Sequence, residues 1–312
     1  MLSRVADTIF WMNRYVERAE NYARFLDVNF NLSLEMPPNY DEQWRPLVVI
    51  TGDLPQFVER YKKADKSSVI RFLGFDAKNL NSIYSSICFA RENARSVRPE
   101  LTKEVWEQVN ALYHLVKDGT ARRQWRRKDP RAYFMEIRKG CQLLYGLFDS
   151  TISRSEGWHY GKIGQLIERA DKTSRVLDVK YQLLLPSVKE VGSTLEMVQW
   201  AALLKSVSAY DMYRKKEGKL VPEHIVGFLL FDPLFPRSVL SCLTRIETSL
   251  FRIAINDNEI PEELRYGVAH MKSDLMSTKV SDVFETGLHE YIDHVQMELN
   301  KLSNAICAMF RY

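Results

Sequence analysis

Cysteine is scarce and scattered in this sequence. Four residues in 312 (Cys88, Cys141, Cys242 and Cys307) lie far apart with no CxxC pair. That fits reduced thiols in a reducing compartment better than a disulfide framework. No apolar run approaches the roughly 18 to 20 residues that span a bilayer. The opening "MLSRVADTIFWMNRYVERAE" is too charged for a signal peptide, so the expected compartment is the cytoplasm and no membrane partner is expected. A strong charge of one sign is also lacking. The net +4 does not argue for nucleic acid. Six histidines form no HExxH and no Glu-x-x-His pair, and there is no GxSxG. Neither a metal site nor a cofactor is expected, and no reaction is spelled out.

What the sequence does contain is helical periodicity. Val5, Ile9, Met12, Val16, Ala19, Ala23, Leu26 and Phe30 recur at spacings of three and four, one apolar stripe of a long helix. Ser3 is its expected N-cap, and Pro37-Pro38 lies beyond its end. Asp129-Pro130 reads as N-cap plus N1, and Ser193-x-x-Glu196 as a capping box. Pro186 is expected to close a second long helix. The best strand candidate, "RPLVVITGDLP" at 45–55, is short and isolated and reads better as a buried helical turn. The expected fold class is all-α.

Two stretches repeat. "ERAENYARFLDV" (17–28) and "ERADKTSRVLDV" (168–179) agree at seven of twelve positions, at an offset of 151. "FLGFDAKNLNSIYSSI" (72–87) aligns without gaps to "FLLFDPLFPRSVLSCL" (228–243) at an offset of 156. Two ordered matches at nearly one offset point to tandem duplication. The expected organisation is two pseudo-repeated helical halves, 1–153 and 154–312, packed as a single compact bundle-like unit with the two charged helices adjacent. In the second pair, the phenylalanines are expected to anchor a bend and Asp76 or Asp232 to cap a turn. The boundary falls in "SRSEGWHYGKIG" (153–164). Its glycines resemble a phosphate loop only superficially, since Gly161-Lys162 is followed by Ile163. A turn into the next helix is expected there.

At about 100° per residue, Glu20, Arg24 and Asp27 lie within about 80° of Glu17 and flank the apolar stripe. Glu168, Asp171, Arg175 and Asp178 do the same beside Ile163, Ile167, Ala170, Leu177 and Tyr181. Arg24 can pair with Glu20 and Asp27, and Arg175 with Asp171 and Asp178. That count leaves Glu17 and Glu168 as the acids to be paired across an interface, to bind a ligand, or to act as a base. Arg18 and Arg169 lie to the other side. A third stretch, "ARENARSVR" (90–98), sets Arg91, Arg95 and Arg98 in a stripe with Glu92 and Asn93 beside it. Arg91 and Arg95 are expected as partners for Glu17 or Glu168, as a clamp for an anion, or as a solvated basic face. Glu17, Glu20, Glu168 and Asp171 could gather around Mg²⁺, although Arg24 and Arg175 already supply positive charge to those faces. "ARRQWRRKDPR" (121–131) is a basic segment with one tryptophan, suited to a nucleic-acid backbone, an acidic peptide or a plain helix end.

The opening 28 residues, "NSIYSSICFARENARSVRPELTKEVWEQVN" (81–110), "IERADKTSRVLDVKY" and "FPRSVLSCL" resemble, in order, segments of the alpha-E proteins, a bacterial all-helical family with a Glu-Arg motif. Leu80 departs from the proline found in many relatives. The matching charged positions are Glu17, Arg18, Arg91, Glu92, Asn93, Arg95, Glu168 and Arg169. The resemblance implies company: a circularly permuted ATP-grasp ligase, a transglutaminase-like peptidase and a proteasome-like peptidase. It therefore implies a component of a peptide-forming or peptide-modifying system. That component would bind an acidic or aminoacyl intermediate at the Glu/Arg centre, or serve as a non-catalytic scaffold for the ligase. A divalent-metal-dependent hydrolase is the third alternative.

Overall fold

A computed structural model describes residues 1–35, 44–184, 193–255 and 260–310, with the backbone alone for Glu35 and for 179–184. The described residues form fifteen α-helices and no strand. In order they are α1 (Ser3–Glu35), α2 (Arg45–Thr51), α3 (Leu54–Arg60), α4 (Lys66–Gly74), α5 (Ile83–Ser96), α6 (Lys103–Ala121), α7 (Arg131–Thr151) and α8 (Glu156–Leu184). They continue with α9 (Thr194–Ser206), α10 (Tyr210–Glu217), α11 (Pro222–Phe231), α12 (Val239–Ile255), α13 (Glu262–Ser277), α14 (Val280–Thr286) and α15 (Leu288–Met309). The protein is all-α. The segment 45–51 is a helix, as its isolation suggests, with Pro46 in its first turn and Gly52 closing it at φ 78°.

Local chemistry sets the helix ends. Ser82 caps α5 by accepting the Ser85 N–H, and Thr102 caps α6 by accepting that of Val105. The α5 start is thus secured with Leu80 outside it. Asp65 and Ser68 form a reciprocal capping box on α4. Ser193 Oγ accepts the Glu196 N–H at 3.2 Å. Two expected caps differ. Ser3 is already helical, and Pro130 rather than Asp129 holds the N-cap of α7, with Asp129 accepting the Arg131 N–H from outside. Pro37, Pro38 and Pro186, and the side chain of Tyr181, lie outside the described residues.

The chain divides into two compact units, Met1–Gln165 and Leu166–Tyr312. The division falls within α8, so the first turns of that helix belong to the first unit. In that unit α1 packs on α5 and α7, and α6 packs on the same two helices, closing a four-helix arrangement. Nine consecutive residues of α1, Ala19 to Asp27, are buried. A helix with core on one face cannot bury nine in a row, so α1 is a central helix. Gly157, Gly161 and Gly164 explain part of this. They form one stripe on α8, and a Cβ there would meet Met1, Asn13 with Phe148, and the Phe10 carbonyl respectively. The expected turn at 153–164 is therefore mostly helix, and its glycines let α8 approach α1 closely. In the second unit α12 packs on α11 and α13, and α15 on α13 and α14.

The two Phe-Asp segments have the same local build. Asp76 follows the end of α4 and accepts the Lys78 N–H at 2.9 Å. Asp232 follows α11 and accepts the N–H groups of Leu234 and Phe235 at 2.8 and 2.7 Å. Each also receives a cation, Arg60 on Asp76 and Lys216 on Asp232. These aspartates hold turns, the structural role expected of them.

Candidate functional site

The charged cluster of α1 is buried. Glu17 and Glu20 have 0% of their surface exposed, and Asn21, Arg24 and Asp27 are buried with them. Burying charge requires partners, and the helix supplies several. Glu20 forms an ion pair with Arg24 one turn on. Asp27 binds Arg138 of α7 at 2.5 Å, so the third member of the expected Glu20–Arg24–Asp27 set is held from another helix. Glu17 Oε1 accepts the side-chain amide of Asn21 at 3.3 Å, and Glu17 Oε2 accepts that of Gln165 at 3.2 Å. Cys141 of α7 is fully buried beside this group. Burial, then the charges of Glu20 and Glu17, push its thiol well above the ordinary range.

The second charged helix has a different solution. Glu168, also 0% exposed, lies 3.4 Å from Lys172 Nζ. Lys172 contacts Asp171 at 2.8 Å, and Asp171 takes Arg175 Nε at 2.8 Å on its other oxygen. Burial alone would raise the Asp171 carboxyl, but Lys172 and Arg175 outweigh it and hold it below the usual carboxylate range. Asp178 pairs with His289 of α15 at 2.7 Å. Thr173 Oγ1 donates to the carbonyls of Arg169 or Arg237, both at 2.9 Å, which ties α8 to the turn before α12. Lys172 stands where α1 has Asn21. It is a partner for Glu168 at i+4 that a count of arginines alone overlooks.

Other predicted residues make further contacts. Arg18 Nη1 donates to Asn81 Oδ1 at 2.7 Å, and Asn81 in turn donates to Asp53 at 2.7 Å. Arg18 thereby fixes the turn before α5. Arg169 is buried. Arg91 is not a partner of Glu17 or Glu168. Its Nε donates to Asn110 of α6 at 2.8 Å, its plane lies 4.5 Å from the Tyr113 ring, and Nη1 reaches Glu92 at 2.9 Å. Arg95 pairs with the same Glu92 at 2.7 Å, two-thirds exposed. Asn93 lends its carbonyl to Ser96 and Val97. This stretch is an outer face of α5 against α6. Among the described residues no three His, Cys, Asp or Glu side chains converge as a metal site. No described helix is long and apolar enough to cross a membrane.

The sequence matches the Alpha-E family, described as "a predicted alpha-helical domain with a conserved ER motif", over residues 1–310. The chain belongs to the Alpha-E family. Glu17-Arg18 and Glu168-Arg169 are the Glu-Arg pairs of the two charged helices. In each, the glutamate is sealed in the interior, and in the first the arginine fixes a neighbouring turn. This Alpha-E chain is also similar to the uncharacterized proteins Mb2597 of Mycobacterium bovis and Rv2567 of Mycobacterium tuberculosis. Each is 25% identical over 272 residues, covering 79% of this chain and 29% of the relative. The chain thus spans under a third of the length of these relatives. No solved structure matches it.

Proposed function

We propose that this Alpha-E chain is a non-catalytic helical scaffold in a peptide-forming or peptide-modifying system, where it holds an ATP-grasp ligase. Its charged helices act as internal struts. The observation that carries this reading is the complete burial of Glu17 and Glu168, each with hydrogen-bond or ion-pair partners on the protein. A base or ligand-binding carboxylate must meet its substrate, and these two do not reach the surface. Buried polar networks of this kind favour one register of helix packing. The much longer curated relatives support a part that works within a larger assembly. Binding of an acidic or aminoacyl intermediate at the Glu/Arg centre would require these helices to part. The hydrolase alternative gains no support from the side chains around Lys172.

The test is reconstitution of the cognate ligase with and without this chain. The scaffold reading expects a stable complex and a lower product yield when the chain is omitted. Absence of a complex together with an unchanged yield overturns it.

A further inference from the structure

Among the described phenylalanines, tyrosines and tryptophans, Phe251 and Tyr266 alone are exposed, at 61% and 70%. They stand on two helices that pack together, α12 and α13. Both line one open groove of about 730 Å³ between those helices. Ile255, one turn beyond Phe251 and 57% exposed, lines it as well. Leu250 and Val268, both buried, continue its wall into the core. Single exposed apolar residues need no explanation. Two aromatic rings and an isoleucine gathered in one groove mark a surface that another surface covers.

A comparison within the sequence sharpens this. The gap-free alignment of 72–87 with 228–243 continues into the following helices. It sets Arg91, Arg95 and Arg98 of α5 against Glu247, Phe251 and Ala254 of α12. On α5, Arg91 bridges to α6 through Asn110 and the Tyr113 ring. On α12, Glu247 pairs with Lys272 of α13 at 2.5 Å. Beyond that pair Phe251 faces solvent, and Ala254 leaves room beside it. The polar stripe of one segment is thus an apolar one in the other.

We propose that this groove docks a second copy of the chain, giving a two-fold dimer through α12 and α13. Two packed helices with an apolar outer face are half of a four-helix bundle, and the same face of a second copy completes it. The charges at the groove favour this occupant. Glu247 is already taken by Lys272. That leaves Glu262 and Arg265, three residues apart on α13, exposed and without an ion-pair partner among the described residues. An acidic partner would meet Glu262, and a basic one Arg265. A two-fold axis between them instead sets Glu262 of each copy against Arg265 of the other. The patch is its own electrostatic complement. The proposal does not depend on the scaffold reading.

The test is sedimentation velocity of the full chain, from dilute solution to the highest soluble concentration. Monomer should give way to dimer as concentration rises, with no larger species. Phe251→Ser and Tyr266→Ser, both at exposed positions, should leave the fold intact by circular dichroism. Each should weaken dimerisation about thirtyfold or more, since each altered side chain enters the interface twice. Glu262→Arg and Arg265→Glu should each weaken it about tenfold. The double variant restores both cross-pairs and should recover the dimer. A chain that stays monomeric throughout, open-ended association, aromatic variants that dimerise as before, or a double charge variant no tighter than the single ones would each overturn the assignment.

Discussion

The side-chain amide of Gln165, at the end of the first unit, donates to Glu17 Oε2 at 3.2 Å, while Asn21 donates to Oε1 from the next turn of α1. A buried carboxylate thus anchors two amides from two helices. Glu17→Ala removes their acceptor and should lower unfolding free energy by about 1–3 kcal/mol in urea denaturation. Combined with Gln165→Ala, the losses should be less than additive, the signature of a shared contact. Strict additivity would mean that the link is absent.

The glycine stripe of α8 gives a paired test. A methyl at residue 164 collides with the Phe10 backbone carbonyl, which cannot rotate away as a side chain would. Gly164→Ala should cost about 1–3 kcal/mol. Gly146 lies exposed on α7 with open space around it. Gly146→Ala should instead stabilise the protein by roughly 0.5–1 kcal/mol through helix propensity. Thermal unfolding of the two variants should therefore move in opposite directions.

Lys172 stands between Glu168 and Asp171. Lys172→Met leaves two buried carboxylates with less positive charge, a change that costs about 3–5 kcal/mol where a buried pair is broken. Equilibrium unfolding measures it. A loss below 1 kcal/mol would show that the pairs contribute little.

Acid and base should act on different groups. Asp171, held low by Lys172 and Arg175 against its burial, contributes stability that is full above the ordinary aspartate range. That stability disappears as pH falls through its lowered folded-state value. His289 is raised by its hydrogen bond to Asp178, then by that residue's charge. Its contribution is full below the ordinary histidine range and is lost as pH rises through the raised folded-state value. Asp171→Asn should flatten the acid limb of a stability–pH curve, and His289→Gln the limb above the histidine range. NMR titration of the His289 ring should give a value above that of a free histidine.

Much of the fold was legible because periodicity and caps are local. The stripe from Val5 to Phe30, the cap Ser193-to-Glu196, and the turn-holding role of Asp76 and Asp232 are each written within a few residues. The helical glycines at 157, 161 and 164 were also there to be read. Their spacing is that of one helix face, but glycine near an expected boundary looks like a loop.

The site was less legible because burial is decided by distant parts of the chain. One apolar stripe says nothing about what covers the other faces of α1, so Glu17 and Glu20 looked like flanking residues when they are interior. Asp27 finds Arg138, and Asp178 finds His289, each 111 positions away. Arg91 and Arg95 were candidates for the centre by charge alone. Asn110, Tyr113 and Glu92 hold them elsewhere.

The account stands most directly on one measurement: product yield of the cognate ligase with the Glu17→Gln/Glu168→Gln variant, normalised to folded protein. Struts predict a lowered unfolding midpoint and an unchanged yield per folded molecule. A variant that folds and holds the ligase normally, yet supports no product, would contradict the account and make these buried carboxylates participants in the chemistry.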